Sequence, residues 1–165
     1  MKKRALKVRI VGGGLAGIEA AHLLASRGVN VDLFEMRPDR LTPAHKTGLL
    51  GELVCSNSLK GTDPETAHGL LKKEMQALGS LVIETALKTR VPAGKALAVD
   101  RQAFGMSITR QIESNELISL IRKEVEEIDP EIPTVIASGP LTSDRLAARL
   151  SEMTGSSRLF FYDAI

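Results

Sequence analysis

Between Val11 and Ile18 the chain reads Gly12-Gly13-Gly14-Leu15-Ala16-Gly17, and no other stretch restricts its fold as strongly. Residues 8–11 read as a short buried strand that the glycines break. Residues 15–27 predict a helix, with Leu15, Ile18, Leu23 and Leu24 on its apolar side and Gly28 as its stop. Residues 29–35 then alternate Val29, Val31 and Leu33 against Asn30, Asp32 and Phe34, which predicts a second strand. Strand, glycine turn, helix and strand within about 28 residues form a βαβ unit and open a parallel sheet.

The glycines at 12, 14 and 17 match G-x-G-x-x-G, and each has its own task. Gly12 permits the tight turn, Gly14 lets a pyrophosphate approach the backbone, and Gly17 lets the helix pack close to the sheet. Glu35 closes the second strand, 18 residues after Gly17. A carboxylate there accepts hydrogen bonds from ribose hydroxyls and repels a ribose phosphate, which favours FAD or NAD over NADP. The fingerprint leaves FAD and NAD both open. Residues 134–137 predict a strand that runs into Ser138-Gly139-Pro140, small residues that allow close approach of a cofactor or simply form a turn.

At 165 residues, with 43% hydrophobic and 3% aromatic content, the chain is one domain with an aliphatic core. Its net charge of +2 excludes strong electrostatic dependence on nucleic acid or acidic membrane. There is no apolar run of the ~20 residues that a membrane span needs, and no apolar stretch of a secretory signal. The single Cys55 shares no metal-ligand spacing with His22, His45 or His68, so no metal site and a reducing, cytoplasmic setting are expected.

Residues 37–59 lack either period and are punctuated by Pro38, Pro43, Gly48 and Gly51, as in a functional loop. A helix is expected next, capped by Thr62 or Asp63, with Glu65 completing a capping box and a stripe of Ala67, Leu71, Met75, Leu78 and Val82. Further expectations are a strand at Ala96–Val99, a helix from Asp100 to Ser114, strands at 117–121 and 125–128, and a helix over 143–153 stopped by Gly155. Residues 159–162 look strand-like. Three of the chain's five aromatic residues (one Tyr, four Phe) fall within 159–165, an ending that predicts the amino-terminal part of a longer protein or a truncated reading frame.

Cys55 lies in this long loop, in Leu53-Val54-Cys55-Ser56-Asn57-Ser58. A lone cysteine is either a buried small hydrophobe or, where accessible as a thiolate, a reactive group. His45 reads as a loop histidine, solvated or else catalytic or facing a phosphate; His22 reads as structural and His68 as helix surface. Arg90 and Arg101 bracket a Pro/Gly loop, as surface charges or as partners of a phosphate or folate carboxylate.

Several segments in order resemble one family: the glycine run, Glu35-Met36-Arg37-Pro38, Thr42-Pro43-Ala44-His45, the Cys55 segment, Arg90-Val91-Pro92-Ala93-Gly94, Ala96-Leu97-Ala98-Val99-Asp100-Arg101, Ser138-Gly139-Pro140-Leu141-Thr142-Ser143 and Phe161-Tyr162-Asp163-Ala164. Together they are similar to the N-terminal part of the bacterial folate- and FAD-dependent tRNA (uracil-5-)-methyltransferases. A more distant resemblance, confined to the glycine run, is to the flavoprotein that modifies the wobble uridine of tRNA with a partner GTPase.

The resemblance implies an α/β, Rossmann-like FAD-binding domain, incomplete, spanning 1–165 with a helical and loop insertion near 40–98. It implies transfer of a one-carbon unit from methylenetetrahydrofolate to uridine C5 in the T-loop of tRNA, with reduction by flavin electrons drawn from NAD(P)H. The implied cofactor residues are Gly12, Gly13, Gly14, Leu15, Ala16, Gly17, Glu35, Arg37, Arg101 and Gly139. Cys55 matches the first of two family cysteines, the one assigned to proton removal; the second belongs to the C-terminal half. Ala137-Ser138-Gly139 departs from the usual Ala-Thr-Gly. The fragment alone is therefore expected not to methylate tRNA. The alternatives are an FAD- or NAD-dependent oxidoreductase of a small molecule, for which Cys55 is dispensable, and a non-catalytic dinucleotide-binding module.

Overall fold

The computed structural model describes residues 6–155. In chain order the elements are β1 (Lys7–Val11), α1 (Leu15–Ala25), β2 (Asn30–Glu35), β3 (Ser58–Gly61), α2 (Ala67–Ala77), α3 (Leu81–Lys88), β4 (Arg90–Val91), β5 (Ala96–Val99), α4 (Arg101–Glu113), β6 (Ile118–Arg122), β7 (Thr134–Ile136) and α5 (Asp144–Thr154). A single 3-10 turn, Gly139–Leu141, precedes α5.

The strands β6, β2, β1 and β7 lie side by side in that order and all run parallel. Chain order therefore reverses between β1 and β7, the switch point of a Rossmann-like α/β sheet. The α/β class read from the sequence is the class observed. Alternation along β1 and β2 buries Val8, Ile10, Val31 and Leu33 on one face, where they pack with Ile18 and Ala21 of α1 and with Phe104, Ile108 and Ile112 of α4. A smaller cluster of Val11, Val125, Ile128 and Leu146 brings in α5.

Several local expectations need correction. α1 ends at Ala25, and its buried residues are Gly17, Ile18, Ala21 and Ala25, whereas Leu23 is exposed. Ile18 is buried and Leu15 and Leu24 pack against the core as expected, while the small residues Gly17 and Ala21 let α1 lie close to the sheet. The helix expected across 67–82 is two helices, because Gly79 takes φ +78° and Ser80 caps α3 by accepting from Ile83 N–H. Thr62 does not start α2; Asp63 forms a turn and Thr66 is the cap, accepting from Gly69 N–H at 3.2 Å. Leu71 and Leu78 consequently face solvent. Residues 125–128 form no strand, yet Val125 and Ile128 are buried in the smaller cluster.

Other expectations match. Asp100 caps α4 by accepting from Ala103 N–H at 2.9 Å, and Phe104, Ile108 and Ile112 are buried. Gly155 ends α5 at φ +65°. The short strands β3 and β4 were not anticipated; they flank β5 in an antiparallel sheet between β2 and α4 in the chain. The expected strand at 159–162 lies outside the described residues. Among the described residues, no helix is long and apolar enough to cross a membrane.

Candidate functional site

The glycine run performs three separate tasks. Gly12 turns the chain at φ +110°, and a Cβ there would lie 2.5 Å from Ala137 O. A Cβ on Gly17 would come within 1.8 Å of Gly12 O, so the turn presses directly on the first turn of α1. At Gly14 a Cβ would meet nothing within 4 Å; its face is open. Gly14 is also the N-cap of α1, and no side chain caps that end. The first N–H groups of a helix have no intrahelical partner and carry its positive dipole end, which suits an anion. In contrast, α2, α3 and α4 all begin under side-chain caps.

This open end faces a cleft of about 350 Å³ at the C-terminal ends of the four parallel strands. Its walls come from the glycine run, residues 34–37 after β2, 123–125 after β6, and 137–143 after β7. Thr42, His45 and Val54 of the long loop complete it. A switch-point cleft of this kind is where open α/β sheets take up ligands.

One corner of the cleft is already filled by charge. The alternation that buries Val31 and Leu33 carries Glu35 inward too, leaving it 6% exposed. Its Oε2 accepts from Gly13 N–H at 2.8 Å and Arg37 Nη2 at 3.0 Å, and its Oε1 from Arg37 Nε at 2.9 Å and Arg37 N–H at 3.0 Å. Four bonds use the four acceptor sites of a carboxylate. Burial pushes the Glu35 carboxyl up, but the Arg37 bonds and charge and the Gly13 N–H more than offset this and hold it below its ordinary value. Arg37, 2% exposed, reaches on with Nη1 to Glu52 at 3.0 Å.

Glu52 also accepts from Lys46 N–H, Thr47 N–H and the Thr47 hydroxyl. Burial raises its carboxyl and these bonds bring it below the usual range. On the cleft wall, His45 Nδ1 lies 2.6 Å from Thr42 Oγ1. Burial, then the charge of Arg37, holds His45 below the ordinary histidine value.

Of the residues singled out in the sequence, Gly12, Gly13, Gly14, Leu15, Ala16, Glu35, Arg37 and Gly139 line the cleft. Gly139, at φ +66°, has open space where a Cβ would lie. Gly17 packs beneath the turn. Cys55 and Arg101 lie outside the lining: Cys55 is exposed, and Arg101 Nη2 donates to the Cys55 carbonyl at 3.2 Å. Val54, the neighbour of Cys55, does reach the cleft. Arg90 is exposed on β4. Sequence reasoning missed Glu52, although it is the only acidic residue between Asp39 and Asp63. It also missed the wall at 123–125, which lies after β6. Among the described residues, no group of three or more His, Cys, Asp or Glu could hold a metal ion.

Residues 7–165 match the family described as Glucose inhibited division protein A. The chain is 59% identical over 159 residues to the methylenetetrahydrofolate–tRNA-(uracil-5-)-methyltransferase TrmFO of Aquifex aeolicus. It is 58% identical over 158 residues to the protein of the same name from Geobacter sulfurreducens, and 56% over 158 residues to that from Moorella thermoacetica. Each match takes in 96% of this chain and 36% of the relative.

Proposed function

From the premise that this chain belongs to the glucose-inhibited division protein A family, we propose that it forms the FAD-binding portion of a methylenetetrahydrofolate-dependent tRNA (uracil-5-)-methyltransferase. The observation that carries this reading is the 59% identity, sustained along 96% of the chain, to a relative bearing that name. The chain spans about 36% of such relatives, so the complete reaction belongs to the longer protein. The oxidoreductase and non-catalytic readings gain no support from these relatives.

The cleft fits FAD. Gly14, Leu15 and Ala16 would hold its diphosphate at the uncapped start of α1, and Gly139 would leave room on the opposite wall. Gly12, Gly13 and Gly17 would shape the turn. Glu35 has no acceptor site left for a ribose hydroxyl in this arrangement and its charge is paired with Arg37, so its part is to hold the Gly13 N–H and with it the shape of the glycine turn. The flavin, when bound, supplies the electrons that reduce the transferred one-carbon unit, with NAD(P)H as their source.

Adding a one-carbon unit at uracil C5 requires loss of the C5 proton, and an accessible thiolate is a suitable base. Cys55 is exposed and adjacent to the cleft wall, which supports that assignment. Arg101 would hold the Cys55 backbone rather than the cofactor. A tRNA substrate implies a cytoplasmic protein, and the tRNA and folate surfaces would come mainly from the length outside the match.

Titrating the purified chain with FAD, followed by quenching of flavin fluorescence, tests the reading. Saturable uptake without 5-methyluridine formation is expected. Failure to take up FAD would overturn the cofactor assignment; 5-methyluridine from this chain alone would overturn the division of labour.

A further inference from the structure

Thr42, His45 and Val54 bring the long loop to the cleft, yet residues 36–57 contain no helix or strand to hold them there. A single carboxylate organises the middle of that loop. Glu52 accepts from Lys46 N–H at 2.9 Å, Thr47 N–H at 3.2 Å and Thr47 Oγ1 at 2.9 Å, all beside His45 in the chain. The same Oε2 that takes two of these bonds receives Arg37 Nη1 at 3.0 Å. Arg37 is in turn bonded through Nε and Nη2 to Glu35, and Glu35 to the Gly13 N–H. An unbroken path of bonds therefore runs from the glycine turn through three charged side chains, buried at Glu35 and Arg37 and half-buried at Glu52, to the exposed backbone next to His45. Breaking such a path at one partner leaves a buried charge short of its counter-charge.

We infer that Arg37 and Glu52 are positioning residues, which hold residues 42–47, and His45 with them, against the cleft. Arg37 is 2% exposed and donates from Nε and Nη2 to Glu35 and from Nη1 to Glu52, so its charge is engaged with the protein and bears on the cleft through the loop. The functional meaning of this inference rests on the cleft being the FAD site.

His45 can report on the loop, because release and simple loss of charge move it in opposite directions. The charges acting on it are Arg37, which lowers its proton affinity, and Glu52 and Glu35, which raise it; burial lowers it most. If Glu52 were only a nearby charge, Glu52→Gln would leave Arg37 less opposed and His45 would titrate lower still. If Glu52 holds the loop, the same substitution exposes His45 to water and its midpoint climbs toward the free-histidine value of about 6.5.

The experiment is an NMR titration of the ring protons in the 165-residue chain, with His45→Gln identifying its signal among the three histidines. Glu52→Gln is expected to raise the His45 midpoint and to weaken FAD binding roughly fivefold. A midpoint that falls or stays fixed overturns the inference. Glu52→Asp, which keeps the charge but shortens its reach, guards against a Gln variant that fails to fold. Positioning predicts an upward shift for the Asp variant as well, and no shift overturns the inference. A wild-type chain that takes up no FAD would defeat the cofactor reading of the cleft while the His45 titration still decides the role of Glu52.

Discussion

The helices α1 and α2 are each eleven residues long, and each has a glycine as its third residue pressed against a preceding carbonyl. A Cβ on Gly17 would lie 1.8 Å from Gly12 O, and one on Gly69 would lie 1.8 Å from Asp63 O. Their ends and faces differ. α2 starts under the Thr66 hydroxyl and buries only Gly69, whereas α1 starts uncapped and buries Gly17, Ile18, Ala21 and Ala25. The same tight entry serves a peripheral helix in one case and a cleft in the other. α1 keeps its place without a side-chain cap through that buried face; α5 also starts without one and buries only Leu146.

The largest effect should come from Gly17→Ala, since both the clash and the core are at stake. We expect loss of the cooperative thermal transition, with a destabilisation above about 4 kcal/mol. Gly69→Ala creates the same clash, but only α2 should loosen. Faster amide exchange confined to 67–77 would uphold the contrast, and global unfolding would break it.

Glu35→Gln tests what holds the open end in shape. It removes one partner of a buried ion pair and should destabilise the chain by about 3 kcal/mol in urea melts. The acid response follows the same logic. Because the folded state holds the Glu35 carboxyl below its ordinary value, its contribution is complete above that value and is lost as pH falls through the folded one. The wild type should therefore lose stability on acidification more steeply than Glu35→Gln.

Gly14→Asp sharpens the contrast by giving α1 the kind of cap α2 has. Gly14 has φ −75° and open space at its Cβ, so the substitution fits. Stability should rise by a few tenths of a kcal/mol. FAD affinity should fall by on the order of a hundredfold, because a carboxylate would occupy the position an anion needs. Thr66→Ala is the mildest change: about 1 kcal/mol of stability lost and FAD affinity unaltered.

The parts visible in the sequence were those whose signals are local. The βαβ opening, the Asp100 cap with Phe104, Ile108 and Ile112, and the Gly155 stop each depend on neighbours within a turn or two. Leu23 misled because hydrophobicity alone favours leucine for a buried face, while close approach of helix and sheet selects Gly17 and Ala21. The stripe through Leu71 and Leu78 ignored the left-handed Gly79 between two helices. Val125 and Ile128 are apolar because they are buried, but they are buried in a loop. At the site, the glycine run was legible as a motif. The pairing of Arg37 with Glu52 joins residues fifteen apart through no period at all, and only the folded chain brings them together.

The bonds that close the glycine turn are all supplied by the protein: Gly12 N–H to Phe34 O, Gly13 N–H to Glu35, and Gly51 N–H to Gly13 O. A ligand would therefore meet a receptor already in its final shape, with little freedom left to surrender on arrival. Capture should then proceed near the encounter rate, and selectivity among dinucleotides should be expressed in how long each one stays.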